Sequence, residues 1–213
     1  HAELEPDQNR RAELMTTVVV GGGPTGVELA GTFAELARTV LYRDFDHIDP
    51  RQAKIILVEG GPRVLATFPE DLSASARRQL TKLGVEVRVN TKVTAIRDHV
   101  VELDGHPLRA GNIVWAAGVG ASPVTHTTGA DLDRMGRLKV LPDLSLPKHP
   151  EVFAVGDLAA LTDAKGVVVP GVAQGAIQGG AHVAKLIAYD IAVGPRVPEE
   201  REAFAYKDKG NMA

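Results

Sequence analysis

A glycine-rich turn between a short apolar run and a helical pattern constrains the fold of this chain more than any other feature. Residues 18–31 read Val-Val-Val-Gly-Gly-Gly-Pro-Thr-Gly-Val-Glu-Leu-Ala-Gly. Gly21, Gly23 and Gly26 have the G-x-G-x-x-G spacing, with the strand before and the helix after that this motif requires. The spacing predicts a turn that binds the pyrophosphate of a dinucleotide on the free N–H groups at a helix N-terminus.

Each glycine of the motif has its own expected role. Gly21 lets the chain turn tightly out of the strand, and Gly23 lacks the Cβ that would keep the backbone away from a pyrophosphate. Gly26, with Ala30 and Gly31 one turn later, is expected to let the helix pack closely against the sheet. No lysine follows in the G-K-[ST] arrangement, so the turn is not a loop for a nucleoside triphosphate. A tight strand–helix turn without a ligand is the alternative interpretation.

The next apolar run carries the residue expected to select the nucleotide. Residues 54–59 read Lys-Ile-Ile-Leu-Val-Glu, a second buried strand that ends in Glu59. A carboxylate there accepts hydrogen bonds from the adenosine ribose hydroxyls and repels the 2′-phosphate of NADP. Arg63 lies close enough in sequence to oppose that preference. With the loop residues Pro24 and Thr25, Glu59 completes the predicted adenosine and pyrophosphate site.

Composition excludes several other classes of function. The chain has 213 residues, of which 44% are hydrophobic and 24% are charged, as in ordinary globular proteins. Its net charge of −3 gives no reason to expect nucleic acid as a partner. The absence of cysteine excludes disulfides, thiolate metal sites and a cysteine nucleophile within this sequence. The 7 histidines show no metal-ligand spacing, so no metal site is predicted.

Strand and helix patterns alternate up to Gly118 and then change. Alternation of this kind predicts an α/β fold with a parallel, doubly wound sheet. Before Gly118 the predicted strands are 16–21, 54–59, 85–89, 93–97, 100–103 and 112–116, and the predicted helices are 25–43 and 69–83, with a hairpin turn at Asp104-Gly105. After it come short strands at 138–140 and 151–155 and a long helix over 174–193.

Four further segments appear in a fixed order. They are residues 115–118 (Trp-Ala-Ala-Gly), 152–157 (Val-Phe-Ala-Val-Gly-Asp), 173–178 (Ala-Gln-Gly-Ala-Ile-Gln) and 204–213 (Phe-Ala-Tyr-Lys-Asp-Lys-Gly-Asn-Met-Ala). Together with the glycine-rich turn, this set resembles the type II NADH:quinone oxidoreductases, which are FAD-containing respiratory dehydrogenases. The resemblance spans essentially the whole chain.

The resemblance implies a domain organisation in which an NADH domain is inserted between two halves of an FAD domain. Residues 14–118 would form the Rossmann-like NAD(H)-binding domain, a parallel sheet plus a β-meander. Residues 119–213 would be the C-terminal part of the split FAD-binding domain, and residues 1–13 a linker from its first segment. The chain would then be a fragment without that first FAD segment, and such a fragment is expected to be inactive alone.

The resemblance also implies roles for individual residues. The backbone of Ala117 and Gly118 would face the nucleotide, whereas Trp115, taken alone, is typical of a core residue. FAD would be bound by three residues: Gly156, Asp157 and Ala173. A plain turn after a strand is the alternative, because Gly-Asp pairs are common in turns. Gln174 and Gln178 lie four residues apart on one helix face and would face a quinone carbonyl; two solvated glutamines are the alternative.

The implied activity is hydride transfer from NADH to FAD, followed by reduction of a membrane quinone. Glu28 would face the reacting rings, although a carboxylate in the first helical turn also suits the helix dipole. A membrane surface, reached through a C-terminal region, and a second copy of the chain are the other implied partners. The intact protein would lie on the cytoplasmic face of the inner membrane. A ferredoxin- or rubredoxin-reductase-like flavoprotein, or a nucleotide-binding module without turnover, are the alternatives.

Overall fold

The computed structural model describes residues 1–163 and 166–210, and the chain divides into two compact units. Unit 1 comprises His1–Gly118, and unit 2 begins at Val119. The division falls where the sequence pattern changes. Assigning the two units to NAD(H) and FAD, as residues 14–118 and 119–213, stays a prediction.

Unit 1 is built on a parallel sheet. Its α-helices are α1 (Gln8–Leu14), α2 (Pro24–Glu35) and α3 (Glu70–Lys82). Its strands are β1 (Thr16–Val20), β2 (Lys54–Val58), β3 (Val85–Arg88), β4 (Val93–Arg97), β5 (Val100–Leu103), β6 (His106–Arg109) and β7 (Asn112–Trp115). The parallel strands have the order β3-β2-β1-β7, and the antiparallel meander has the order β4-β5-β6. The predicted α/β class, with a parallel sheet and a meander, is confirmed.

The parallel sheet is buried on both faces, which explains the unbroken apolar runs of β1 and β2. Side chains alternate between the faces along each strand. Val19 and Leu57 therefore pack with α2 and α3, in a cluster that includes Ala30 and Leu80. Val18 and Ile56 pack on the other side, in a cluster with residues of the meander. The result is three layers, which are the helices, the parallel sheet and the meander. The glycine-rich turn follows β1, an inner strand of the sheet, at its carboxyl end.

The predicted helix over residues 25–43 is wrong in its second half. The α-helical part ends at Glu35, and the chain continues as a π-helical turn, Leu36–Val40, and a 3-10 turn, Leu41–Arg43. Thr39 Oγ1 donates to the Glu35 carbonyl oxygen at 2.7 Å and competes with backbone donors for it. A side chain that competes in this way favours the wider turn.

Residues 1–13, expected to be a linker, contain all but the last residue of α1 and are hydrogen-bonded into unit 1. Asp7 caps α1 by accepting from the Arg10 N–H at 2.9 Å. At the other end of the helix, Glu13 pairs with Arg109 at 2.8 Å, and its carbonyl accepts from the Gly111 N–H at 2.7 Å. These contacts hold α1 beside the meander.

Unit 2 consists of one long helix and short strand pairs. The helix is α4 (Ala173–Val193), and the strands are β8 (Leu138–Lys139), β9 (Ser145–Leu146), β10 (His149–Phe153) and β11 (Ala159–Ala160). β9 pairs antiparallel with β10, and β8 pairs parallel with β11. β10 begins two residues before its predicted start because its hairpin partner, β9, pairs Leu146 with His149. The core combines residues before α4, within α4 and in the segment after it: Leu144, Leu161, Val183, Phe204 and Tyr206.

Candidate nucleotide-binding sites

The glycines of the motif have distinct surroundings in unit 1. Gly21 has a φ of +110°, and a Cβ there would lie 2.6 Å from the Ala116 carbonyl oxygen. A Cβ on Gly26 would overlap the Gly21 carbonyl oxygen, so the third glycine lets α2 start against the first. A Cβ on Gly23 would meet no atom within 4 Å. The turn is therefore closed at both ends and open in the middle, where a pyrophosphate would approach.

Gly31 has a different neighbour from the one expected. A Cβ on Gly31 would lie 3.8 Å from Leu80 and 3.9 Å from Leu83, so this glycine faces α3 and not the sheet. Close packing of α2 on the sheet is instead provided by Ala30, which is fully buried, and by Gly26, whose Cβ would lie 3.5 Å from Leu57.

The N-terminus of α2 presents unpaired backbone donors. Gly23 is the N-cap and Pro24 is the first helical residue, which has no N–H to lose. The first backbone bond of the helix runs from the Val27 N–H to the Gly23 carbonyl at 3.0 Å. The N–H groups of Thr25 and Gly26 consequently have no acceptor within the helix, and Pro24 and Thr25 are exposed. With the helix dipole, these donors favour an anionic group.

Glu59 lies at the carboxyl end of β2 and is bound to the glycine-rich turn. Its Oε2 accepts from the Gly22 N–H and its Oε1 from the Gly61 N–H, both at 2.6 Å. A carboxylate oxygen has a second lone pair, so each oxygen can also accept from a ribose hydroxyl. The half-buried carboxylate thus has both a structural role and a free acceptor face.

The guanidinium of Arg63 points into its own turn. It donates to the backbone carbonyls of Leu65, Ala66 and Phe68 at 3.3, 2.7 and 2.8 Å. Three of its five N–H donors are therefore used within the turn.

The segment after β7 lies beside the glycine-rich turn at the same edge of the sheet. The Ala116 N–H donates to Val20 at 2.7 Å, and Gly118, with a φ of +92°, folds back on Ala116 at 3.1 Å. Ala117 and Gly118 are exposed. Trp115 is 59% exposed, so the interpretation of this residue as core is wrong.

Glu28 lies one turn into α2. Its side chain is exposed, and within the described ranges it makes no hydrogen bond or ion pair. Because α2 begins at Pro24, Glu28 is its fifth residue and the first turn contains no acidic side chain, so the helix-dipole interpretation of this carboxylate is wrong. A role for Glu28 at the reacting rings stays a prediction.

In unit 2, the Gly-Asp turn lies beside the start of α4. Gly156 has a φ of +63°, and a Cβ there would lie 3.0 Å from the Ala176 Cβ. Asp157 is exposed, with its Oδ1 3.2 Å from the position of a Cβ on Gly171. Ala173 is the first residue of α4. The structure thus brings Gly156, Asp157 and Ala173 together at one helix N-terminus, where a carboxylate can accept from hydroxyl groups.

The two glutamines of α4 have different environments. Gln178 Nε2 donates to the Lys207 carbonyl at 2.9 Å, and its Oε1 accepts from the Lys207 N–H at 3.0 Å. Gln174 is half-buried, and its amide has no partner in the part of the chain that the structure describes. The shared helix face is as predicted, but only Gln174 presents an unoccupied amide.

The described residues contain no group of three or more His, Asp or Glu side chains that could hold a metal ion. Within the same ranges, no helix is long and apolar enough to cross a bilayer.

Comparison with known proteins identifies the family. The model of the pyridine nucleotide-disulphide oxidoreductase family matches residues 2–180. The chain belongs to this family. The Mycobacterium tuberculosis type II NADH:quinone oxidoreductase Ndh is 46% identical over 100% of this chain and 46% of its own length. The Haemophilus influenzae type II NADH:quinone oxidoreductase is 36% identical over 97% of this chain and 45% of its own. This family member therefore spans less than half the length of these relatives.

Solved structures agree on the fold. NDH2 from Plasmodium falciparum in complex with NADH aligns with a TM-score of 0.65 and 24% identity, over 75% of this chain and 35% of that one. A ferredoxin reductase from Rhodopseudomonas palustris aligns with a TM-score of 0.66 and 19% identity, over 94% of this chain and 45% of that one. Identities this low show the fold alone. The curated relatives are named as NADH:quinone oxidoreductases, so the ferredoxin- or rubredoxin-reductase alternative is not favoured.

Two residues of this family member were not identified from the sequence. Gly22 occupies a variable position of the motif, yet a Cβ there would lie 2.9 Å from Glu59. Leu65 donates its N–H to the Gly22 carbonyl at 2.7 Å. The run of three glycines is a signal for the first residue. A backbone donor such as Leu65 leaves no signal in the sequence.

Proposed function

We propose that this chain forms the NADH-binding part and a portion of the FAD-binding part of a type II NADH:quinone oxidoreductase. The overall reaction oxidises NADH and reduces a quinone to a quinol. The observation that carries the proposal is the edge of the parallel sheet in unit 1, where an open glycine, free helix N–H groups and a carboxylate meet. Identity of 46% to an enzyme of that name, over the whole chain, supports the same assignment.

In unit 1 the proposed ligand is NADH. The open face of Gly23 and the N–H groups of Thr25 and Gly26, with Pro24 between, bind the pyrophosphate. Gly21 shapes the turn, and Glu59 accepts from the adenosine ribose. The exposed backbone of Ala117 and Gly118 borders the nucleotide on the β7 side, and Glu28 faces the nicotinamide end.

In unit 2 the proposed ligands are FAD and the quinone. Gly156, Asp157 and Ala173 fit a flavin cofactor, because an exposed carboxylate and a helix N-terminus suit ribityl hydroxyls and a polar ring edge. These residues would hold FAD, and the bound cofactor would supply the redox chemistry that links oxidation of NADH to reduction of the quinone. Gln174, whose amide is unoccupied, and the second N–H of Gln178 Nε2, whose first is given to Lys207, supply donors for a quinone carbonyl. The chain's own contribution is to bind and orient the reactants.

The proposal includes the setting of the intact protein. Residues 14–118 are the NAD(H)-binding domain, residues 119–213 the C-terminal part of the FAD-binding domain, and residues 1–13 the link to a first FAD segment. The intact enzyme binds the cytoplasmic face of the inner membrane through a C-terminal region and forms a homodimer. This chain alone binds nucleotide without turnover.

Titration of the purified chain with NADH and NADPH tests the nucleotide site. We expect NADH to bind more tightly because Glu59 repels a 2′-phosphate. Glu59→Gln should weaken NADH about tenfold, the cost of one charge-assisted hydrogen bond. The matched control, Glu35→Gln, changes an exposed carboxylate at the far end of α2 and should leave the dissociation constant unchanged. Equal binding of both nucleotides, or an unaltered affinity in Glu59→Gln, would contradict the assignment.

An absorbance spectrum with added FAD, before and after NADH, tests the second half of the proposal. A flavin band that NADH does not bleach is the expected result, because this chain is proposed not to turn over alone. Bleaching would show that the chain itself is an active reductase.

A further inference from the structure

The turn between β2 and α3 contacts both backbone polar groups of a single glycine. The Gly22 N–H donates to Glu59 Oε2 at 2.6 Å, and the Gly22 carbonyl accepts from the Leu65 N–H at 2.7 Å. Gly22 is itself buried between the two outer glycines of the motif. The shape of the glycine-rich turn is therefore coupled to the shape of the segment that follows β2.

Leu65 has a backbone conformation that needs support from its surroundings. Its φ is +49°, in the left-handed region, which is unfavourable for a residue with a Cβ. Its side chain is 4% exposed and lies next to Val64, which is 1% exposed and packs with β1 and β2. Side-chain burial anchors the turn to the sheet, but burial alone does not fix the direction of the Leu65 N–H.

Arg63 supplies that restraint. Its guanidinium donates to the backbone carbonyls of Leu65, Ala66 and Phe68. The turn therefore wraps around one planar group, which holds it closed. Charge-assisted bonds of this kind are stronger than neutral ones, and a lysine cannot reproduce their fork geometry. In the described part of the chain, Arg63 has no carboxylate within ion-pair distance. We call these three hydrogen bonds from the Arg63 guanidinium to the backbone of its own turn the Arg63 clasp.

We propose that Arg63 is a positioning residue of the NADH site, which acts through Leu65 and Gly22 and does not bind a 2′-phosphate. The clasp holds the Leu65 N–H toward Gly22, and Gly22 in turn keeps the motif open at Gly23. Discrimination against NADPH then rests on Glu59 alone. This inference depends on the proposed binding of NADH in unit 1.

Two variants separate a clasp from a phosphate ligand. Arg63→Lys keeps the positive charge but loses the fork, and Arg63→Gln loses both. For a clasp, each variant should weaken NADH and NADPH by the same factor, about five- to tenfold, and lysine should not rescue binding. For a phosphate ligand, Arg63→Lys would retain NADPH affinity, and Arg63→Gln would weaken NADPH alone. Arg78→Lys, an exposed arginine on α3, is the matched control and should change neither constant.

Amide hydrogen exchange provides a readout that does not depend on nucleotide. Exchange of the Leu65 N–H should accelerate about tenfold in Arg63→Lys, while that of Ile56, fully buried in β2, stays slow and shows that the fold is intact. Unchanged Leu65 exchange overturns the clasp. Faster Leu65 exchange with unchanged NADH affinity overturns the link to the nucleotide site. Failure of the unmodified chain to bind either nucleotide overturns the proposed function, and this inference with it.

Discussion

Units 1 and 2 hold their candidate sites in different ways. In unit 1 the site lies at the edge of a four-stranded parallel sheet. Backbone hydrogen bonds from the Gly21 N–H to Val58 and from the Ala116 N–H to Val20, both 2.7 Å, fix the chain at this edge. In unit 2 the strands form only two-stranded pairs within the described ranges. We therefore expect unit 1 to be destabilised mainly by atoms added to its glycines, and unit 2 mainly by the loss of individual side chains.

Side-chain contacts in unit 2 attach the segment after α4 to the rest of the unit. Arg201 pairs with Asp143 at 3.1 Å and with Asp190 at 2.8 Å, and its side chain is 4% exposed. Arg196 binds the other oxygen of Asp190 at 2.6 Å and, with Arg201, holds the pKa of that carboxyl below its ordinary value. Further along, the Tyr206 N–H donates to Asp163 at 3.0 Å. In unit 2 these ion pairs and hydrogen bonds hold the segment after α4 in place, as strand pairing does for the sheet of unit 1.

The largest expected effect is the loss of Arg201. Arg201→Met should lower the free energy of unfolding of unit 2 by about 3–5 kcal/mol, because it leaves Asp143 buried without its cation. The change would be measured from the denaturant dependence of hydrogen exchange at the Phe204 N–H, which bonds to Pro142 at 2.8 Å. The control is Arg196→Met, whose side chain is 21% exposed and whose loss should cost about 1 kcal/mol or less. Equal effects of the two substitutions would show that burial of Asp143 is not the cause.

The second effect belongs to the backbone of unit 1. Gly26→Ala should destabilise unit 1 by about 2–3 kcal/mol and weaken NADH binding at least about tenfold, because the new methyl overlaps the Gly21 carbonyl. Unfolding followed by Trp115 fluorescence and an NADH titration would measure both. Gly60→Ala adds the same methyl where no atom lies within 4 Å and should leave stability unchanged. Normal stability and affinity in Gly26→Ala would refute the packing of the third glycine on the first.

Sequence patterns were sufficient for the sheet of unit 1. Buried strands produce apolar runs, so β1 and β2 were predicted to within one residue at each end. α1 escaped prediction because its residues, Gln8–Leu14, are mostly charged or polar and its boundary depends on the Asp7 cap. The end of α2 depends on Thr39 bonding to Glu35, a local competition that helical periodicity does not reveal.

In the candidate sites, too, local geometry could be predicted from the sequence, whereas contacts between distant residues could not. The motif spacing predicts the turn around Gly21, Gly23 and Gly26 because each position corresponds to one backbone geometry. Glu59 was expected at the end of β2 and lies there, although its bond to Gly22 was not foreseen. The partner of Gln178 lies 29 residues further along the chain. A contact between a side chain and a distant backbone group leaves no periodic pattern, so it could not be predicted.

The smallest expected effect tests that distant contact. Gln178→Ala removes both hydrogen bonds to Lys207 and should destabilise the attachment of this segment by about 1 kcal/mol, because each of these exposed neutral hydrogen bonds contributes about 0.5 kcal/mol. Exchange of the Lys207 N–H should accelerate about fivefold. His182, one turn later on the same face, bonds to the Glu202 carbonyl at 2.9 Å and should keep the preceding residues in place.

Gln174→Ala is the control, because its amide has no partner in the described part of the chain and its loss should leave Lys207 exchange unchanged. If Gln178→Ala also leaves that exchange unchanged, the amide does not hold the segment and is free for a quinone carbonyl. If exchange accelerates in Gln178→Ala alone, the amide of Gln178 holds this segment, and one N–H of its Nε2 is given to the Lys207 carbonyl. Gln178 then has a single N–H left for a quinone carbonyl, whereas the whole amide of Gln174 is unoccupied.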